Sequence, residues 1–115
     1  AFTLGNAGHP APIQFAAGSG RWSVHASAGG PVLGIIPDAR FPRSQGRLGR
    51  GDALVLYTDG VIEARGHELS RGVDRLVGRA ERLVPTGFAF GARRLCADTR
   101  GGDSDDRAVV LIWRT

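Results

Sequence analysis

The sequence contains no lysine, no methionine and a single cysteine, Cys96. One cysteine excludes an intramolecular disulfide and a cysteine-rich zinc site, and its place within a helical pattern predicts that Cys96 packs in the core. Long hydrophobic runs are also missing, because no stretch approaches the ~18 to 20 apolar residues that a membrane-spanning helix needs. A charged-then-apolar secretory leader is lacking as well. These absences predict a cytoplasmic protein with no membrane contact in this segment.

The charge of the chain is positive but dispersed. All 15 basic residues are arginines, and they give a formal net charge of +4 with a pI near 10.9. They are scattered from Arg21 to Arg114, without a basic run and without the interleaved aromatic residues of nucleic-acid-binding surfaces. We therefore expect no nucleic-acid partner. The length of 115 residues, with 42% hydrophobic residues and no linker or internal repeat, indicates one globular domain.

Residues 1–60 have a β-rich pattern, in which short apolar or alternating stretches are separated by Gly, Asn and Pro turns. The expected strands are 2–4, 12–15, 21–25, 40–48 and 53–57, with the first three forming a meander. Beyond residue 60, apolar residues recur at helical spacing from Val73 to Val84, and Pro85 ends that helix. A second helix is expected over 88–97 and a last strand over 108–113. This order predicts an α+β fold, an antiparallel β-sheet with two helices packed on one face.

The most informative stretch is the apolar run Ala53–Tyr57, which ends at Thr58-Asp59-Gly60. Such a run predicts a strand buried on both faces, and a carboxylate at its end is held by the sheet yet can face a cleft. A second acidic cluster, Asp103-Ser104-Asp105-Asp106, directly precedes the last strand. If the two strands are antiparallel neighbours, these carboxylates meet at one edge, where Mg²⁺ or Mn²⁺ relieves their repulsion. The alternative is that Asp59-Gly60 is an ordinary turn dipeptide.

Several segments of the chain follow one another in the order found in a known family. They are Asn6-Ala7-Gly8-His9-Pro10, Gly30-Pro31-Val32-Leu33-Gly34, Gly51-Asp52, Leu56-Tyr57-Thr58-Asp59-Gly60-Val61-Ile62-Glu63-Ala64 and Ser104-Asp105-Asp106-Arg107-Ala108-Val109-Val110-Leu111. Together they resemble the C-terminal half of the PPM/PP2C-type protein serine/threonine phosphatases, in the bacterial SpoIIE/RsbU-like branch. The resemblance extends over nearly the whole chain.

The resemblance implies a two-metal site for Mn²⁺ or Mg²⁺, incomplete in this chain, with Asp59 and Asp105 as ligands and no catalytic residue beyond the metal ligands. In the family, water activated at this site attacks the phosphorus of phosphoserine or phosphothreonine. Asp106 matches a neighbour that shapes the loop or holds a metal-bound water, and Gly60 serves the turn. His9 is a further candidate near the site, although a histidine beside a turn more often has a structural role.

The resemblance also shows what is missing, namely a Gly-Asp-Val-x-Gly-His-Gly type motif that holds both metal ions in the family's N-terminal half. Residues 1–115 are therefore interpreted as the C-terminal part of a single phosphatase domain, a partial α/β/β/α sandwich without its N-terminal part. The first functional hypothesis is a metal-dependent phosphoserine/phosphothreonine protein phosphatase of bacterial signalling, acting on a phosphorylated protein of the anti-sigma-factor antagonist type. The alternative is a catalytically inactive fragment or a regulatory or interaction module. We expect this chain alone to be weakly active or inactive, and a homodimer is a further hypothesis.

Overall fold

The structure is a computed structural model that describes residues 1–25, 29–63, 69–97 and 106–115. Within these residues six strands and three helices follow one another, which confirms the expected α+β class. Their bounds are β1 Phe2–Gly5, β2 Ile13–Ala16, β3 Arg21–Val24, β4 Arg43–Gly46, β5 Ala53–Tyr57, α1 Asp59–Ile62, α2 Leu69–Glu81, α3 Gly91–Ala97 and β6 Val109–Trp113.

The central sheet has four antiparallel strands in the order β3-β2-β5-β6. Strand β5 lies between β2 and β6, and its register with β6 pairs Ala53 with Trp113 and Tyr57 with Val109. Strands β2 and β3 form a hairpin, as expected. The meander does not extend to β1, however, because β1 pairs with β4 in a separate two-stranded antiparallel sheet. The prediction that the first three strands form one meander was therefore wrong for β1 and correct for the pairing of β2 with β3.

The core lies between the four-stranded sheet and the helices. Side chains alternate along β5, so that Val55 and Tyr57 face the helices. In the part of the chain that the structure describes, the core cluster consists of nine buried residues, Ile13, Val55, Tyr57, Val61, Ile62, Leu76, Ala80, Leu83 and Leu95. Most of these residues are aliphatic, and burying each such side chain contributes about 1.5 to 3 kcal/mol before conformational entropy is subtracted. The expected placement of helices against one face of an antiparallel sheet is confirmed.

The helices differ from the sequence prediction at their ends. Helix α2 begins at Leu69 and ends at Glu81, and residues 82–86 form turns in which Leu83 remains buried. Helix α3 begins at Gly91 instead of residue 88, because Phe90 has a φ of +62° and a residue in the left-handed region cannot lie inside a right-handed helix. Phe88 instead packs against Phe15, with ring centroids 5.8 Å apart.

The face of the sheet opposite the helices is apolar and only partly covered. Leu54 on β5 is buried, whereas Val110 and Ile112 on the neighbouring strand β6 are 55% and 46% exposed.

Strand β4 is shorter than the predicted 40–48, since only Arg43–Gly46 pairs with β1. In the described parts of the chain, no helix is long and apolar enough to cross a membrane.

Candidate functional site

Asp59 is the first residue of the short helix α1, which begins where strand β5 ends. Thr58 is the N-cap with extended backbone, and the amide of Glu63 donates to the Asp59 carbonyl at 2.8 Å. Gly60, Val61 and Ile62 are buried, while Asp59 itself is exposed. The alternative of an ordinary Asp-Gly turn is therefore incorrect, as is the expectation that Gly60 serves a turn. A helix begins here, and it presents the Asp59 carboxylate to solvent from a fixed backbone.

Thr58 joins the end of β5 to the chain segment that enters β6. Its hydroxyl donates to the carbonyl of Asp106 at 3.3 Å and accepts from the amide of Ala108 at 3.0 Å. Its own amide donates to the Ala108 carbonyl at 3.1 Å. The antiparallel pairing on which the sequence argument depended is thus present, and it brings Asp59 and Asp106 to one edge of the sheet. Asp105, the predicted second metal ligand, lies outside the described residues.

Thr58 is a residue that the sequence reasoning missed. Threonine at a helix N-cap commonly bonds to the helix amides, but the Thr58 side chain makes no such capping bond. It is used instead to hold the backbone that precedes β6. The position of Thr58 in the sequence could have indicated this role. A hydroxyl side chain between a buried strand and Asp59 can contact the backbone of the neighbouring strand at the same edge of the sheet.

The electrostatic environment of this edge is reported by Tyr57, the residue before Thr58. Burial, and to a smaller extent the negative charge of Asp59, raises the pKa of Tyr57 to about 12. The phenol also donates a hydrogen bond to the carbonyl of Ala11 at 2.8 Å, which ties the segment before β2 to β5. The pKa of Tyr57 therefore depends both on the core and on the charge of Asp59.

His9 lies in a turn that is closed by the buried side chain of Asn6. The Asn6 amide donates to the His9 carbonyl at 2.8 Å, and the His9 amide donates to Asn6 Oδ1 at 2.8 Å. Gly8 between them has a φ of +84°, and a Cβ there would lie 2.5 Å from Cγ2 of Val32. The spacing of Asn6, Gly8 and His9 is thus explained by backbone geometry. A chemical role for the exposed His9 ring stays a prediction.

A cavity of about 210 Å³ lies beside this turn, on the face of the sheet away from the helices. Its walls are largely apolar, and its polar lining comes chiefly from Asn6, His9 and Thr58. Strand β1, the segment before β2, the end of β5 and the start of β6 supply the remaining walls. The cavity is large enough for a small molecule or a side chain, since a dry cavity of about 150 Å³ accommodates benzene.

Asp52, at the opposite end of β5, has a structural role. Its Oδ1 accepts from the amide of Ala17 at 2.8 Å and its Oδ2 accepts from the amide of Gly49 at 2.7 Å. The Asp52 carbonyl also accepts from the amide of Arg114 at 3.0 Å. Gly51-Asp52, one of the segments that carry the family resemblance, therefore links two loops to the residue after β6. The whole length of β5 separates it from Asp59.

The donor chemistry of the Asp59 edge fits a hard divalent cation, but the described residues do not complete a binding site. Carboxylate oxygens are the ligands that Mg²⁺ and Mn²⁺ prefer, and Asp59 and Asp106 both lie at this edge. Among residues 1–25, 29–63, 69–97 and 106–115, no group of three or more His, Cys, Asp or Glu side chains could hold a metal ion. A complete metal site at this edge would require ligands in addition to Asp59 and Asp106.

Two comparisons with known proteins agree with this architecture. The family model described as Stage II sporulation protein E (SpoIIE) matches residues 1–115. The crystal structure of the RsbU and RsbW domains of Rv1364c from Mycobacterium tuberculosis is similar to the chain with a TM-score of 0.75 and 29% sequence identity. That match covers 96% of this chain and 32% of the solved chain, so this chain spans about a third of its relative.

Proposed function

The chain belongs to the SpoIIE family, whose members are PP2C-type phosphatases or related regulatory domains, and we propose on this premise that it contributes to phosphoester hydrolysis. The substrate proposed is a phosphoserine or phosphothreonine in a bacterial signalling protein of the anti-sigma-factor antagonist type. The proposed cofactor is Mn²⁺ or Mg²⁺, and the proposed location is the cytoplasm.

The observation that supports this proposal is the hydrogen bonding of Thr58. Thr58 directly precedes Asp59, and its hydroxyl donates to the carbonyl of Asp106 and accepts from the amide of Ala108. The two acidic segments therefore lie at one edge of the sheet. Asp105 is adjacent to Asp106 in the sequence. We propose Asp59 and Asp105 as metal ligands, with Asp106 shaping the loop beside them. A cation bound at this edge would supply Lewis acidity and offset charge on the phosphoryl oxygens.

The roles of the remaining residues follow from their contacts. Thr58 keeps the two acidic segments together, and the buried residues that follow Asp59 in α1 keep its backbone in place. Asn6 fixes the turn that places His9 beside the cavity. His9 is proposed as a polar neighbour of the site, because His9 and Thr58 both line the same cavity.

We propose further that residues 1–115 form the C-terminal part of the phosphatase domain and that other residues complete the site. The chain covers only 32% of its solved relative, and it lacks the family's Gly-Asp-Val-x-Gly-His-Gly type motif. The exposed apolar residues Val110 and Ile112 give the uncovered face of the sheet a surface suited to packing against additional structure.

The second candidate function is a catalytically inactive regulatory or interaction module. It is favoured by the observation that no complete set of metal-ligating side chains occurs in the described ranges. The same apolar face would then serve association, including formation of a homodimer. The two candidates differ in one measurable property, which is turnover by this polypeptide.

The test is Mn²⁺-dependent hydrolysis of para-nitrophenyl phosphate by the chain, by Asp59→Asn and by the control Asp74→Asn. Asp74 is an exposed carboxylate on α2, and replacing it leaves the Asp59 edge unchanged. The enzyme hypothesis predicts weak metal-dependent turnover by the chain, which Asp59→Asn abolishes and Asp74→Asn retains. Turnover that is absent in all three proteins, despite cooperative folding, would support the inactive module for this chain.

A further inference from the structure

Helix α1 carries Asp59, but it is too short to hold its own position. It spans four residues, and an isolated helix shorter than about 12 residues is marginal in water. The buried residues Gly60, Val61 and Ile62 connect α1 to the core, where Val61 and Ile62 belong to the same cluster as Leu76 of α2. The position of the Asp59 backbone therefore depends on what packs against the rest of α1.

Gly72, in the first half of α2, allows the two helices to approach each other. A Cβ at position 72 would overlap the carbonyl oxygen of Ile62 and would lie 2.8 Å from its carbonyl carbon and 2.9 Å from its Cβ. These atoms belong to the backbone and the base of a side chain, so they cannot move aside without a shift of α1 itself. A methyl group at position 72 would therefore push α1 away from α2.

Arg79 contacts the end of α1 from two helical turns farther along α2. Its Nη2 donates to the carbonyl of Val61 at 3.4 Å, and its Nη1 donates to the carbonyl of Leu95 in α3 at 3.5 Å. These carbonyls lie in the last turns of their helices, where no amide of the same helix is available. A guanidinium there also carries positive charge to the negative ends of two helix dipoles.

Gly72, Leu76 and Arg79 lie on one face of α2, because residues four and seven positions apart are adjacent on a helix. We propose that this face sets the position of Asp59 through α1, which makes Gly72 and Arg79 positioning residues for the proposed metal site. This inference rests on the proposed function and deepens it. Neither residue touches the reacting groups, so both act through the backbone of α1.

The first test compares two glycine substitutions within the same helix. Gly72→Ala introduces the overlap with Ile62, whereas Gly78→Ala introduces a methyl group that meets no described atom within 4 Å apart from the adjacent backbone of its own helix. Both changes raise helix propensity equally. Two properties are measured for each variant: Mn²⁺ affinity by calorimetry, and amide hydrogen exchange at Val61 and Glu63 by NMR. The amide of Glu63 donates to the carbonyl of Asp59, so its exchange reports on α1 directly.

We expect Gly72→Ala to weaken Mn²⁺ binding by about 10- to 100-fold, the range seen when groups that orient metal ligands are removed. Exchange at Val61 and Glu63 should become about tenfold faster, while the amides of β2 and β5 keep their rates. Gly78→Ala should change neither property. Equal affinities and equal α1 exchange rates in the two alanine variants would overturn the inference.

The second test uses Arg79, in case Gly72→Ala does not fold. Arg79→Gln removes the charge, and Arg79→Lys keeps the charge but loses the two-pronged donor geometry. The matched control is Arg75→Gln, an exposed arginine on the same helix. We expect Arg79→Gln to accelerate amide hydrogen exchange at Val61 and Glu63 and to weaken Mn²⁺ binding. Arg79→Lys should have a smaller effect on both properties. A loss of global stability with α1 exchange and affinity unchanged would show a merely structural role.

The outcomes separate this inference from the proposed function. If Asp59→Asn and the unmodified chain bind Mn²⁺ equally, the proposed metal site is wrong, and exchange at Val61 and Glu63 alone decides whether α2 positions α1. If Asp59→Asn abolishes binding while Gly72→Ala and Arg79→Gln bind normally, the metal site stands and the positioning role is refuted.

Discussion

Tyr57 provides an internal probe of the charge at Asp59. The chain contains one tyrosine and no lysine, so phenolate absorbance in the near ultraviolet reports Tyr57 alone in the folded protein. Burial, and secondarily the charge of Asp59, raises its pKa from 10.0 to about 12. We predict that Asp59→Asn lowers this pKa, because it removes the smaller cause. The pKa should remain above 10.0, because burial persists.

The size of the effect on stability follows from the difference between the folded and unfolded states. A pKa of about 12 in the folded protein, against 10.0 unfolded, corresponds to at most about 2 to 3 kcal/mol. The unfolded phenol loses its proton first, so this stability is fully present below pH 10 and is lost as the pH rises towards 12.

The assay is a spectrophotometric pH titration of the chain, of Asp59→Asn and of Asp74→Asn, combined with thermal unfolding at each pH. We expect the Asp74→Asn titration to match that of the unmodified chain, since Asp74 is exposed on α2. A midpoint near 10 in the unmodified folded protein would refute the burial argument. An identical midpoint in the Asp59→Asn variant would refute the electrostatic coupling between residues 57 and 59.

Two further predictions concern stability and association. Asp52→Ala should lower the free energy of unfolding by about 2 to 4 kcal/mol, because a carboxylate that accepts two backbone amides is removed. Urea denaturation measures this loss, and a change below about 0.5 kcal/mol, as expected for a surface residue, would contradict it. The homodimer hypothesis predicts that the double substitution Val110→Thr and Ile112→Thr reduces self-association, because both exposed side chains lie on the uncovered sheet face. Sedimentation velocity measures the distribution of species, and an unmodified chain that is monomeric, or an unchanged distribution in the variant, would contradict this prediction.

The strands that the sequence predicts best are those with continuous apolar runs. Strand β5 has the bounds Ala53–Tyr57 that its composition indicates, and β6 differs from its prediction by one residue at its start. Their antiparallel pairing was a condition of the sequence argument, and the register of β5 with β6 satisfies it. Once that condition is assumed, the end of β5 and the start of β6 must lie at one edge, which is why the Asp59 edge could be predicted.

The features that sequence reasoning missed depend on contacts between distant residues. Pairing of β1 with β4 joins segments about 40 residues apart, and no local pattern encodes it. Helix α1 was read as a turn because Asp-Gly is a common turn dipeptide, and its helical form is supported by packing against Gly72 and Arg79. The predicted start of α3 was wrong because Phe90 has a positive φ, and nothing about an aromatic residue in the sequence indicates that conformation.

The measurement that tests the central claim most directly is calorimetric titration of Mn²⁺ into the chain, Asp59→Asn and Asp74→Asn. The proposal that Asp59 is a metal ligand predicts binding to the unmodified chain, the same binding to Asp74→Asn, and its loss in Asp59→Asn. Equal heats for the unmodified chain and Asp59→Asn, whether large or negligible, would contradict a metal site at Asp59 in this chain.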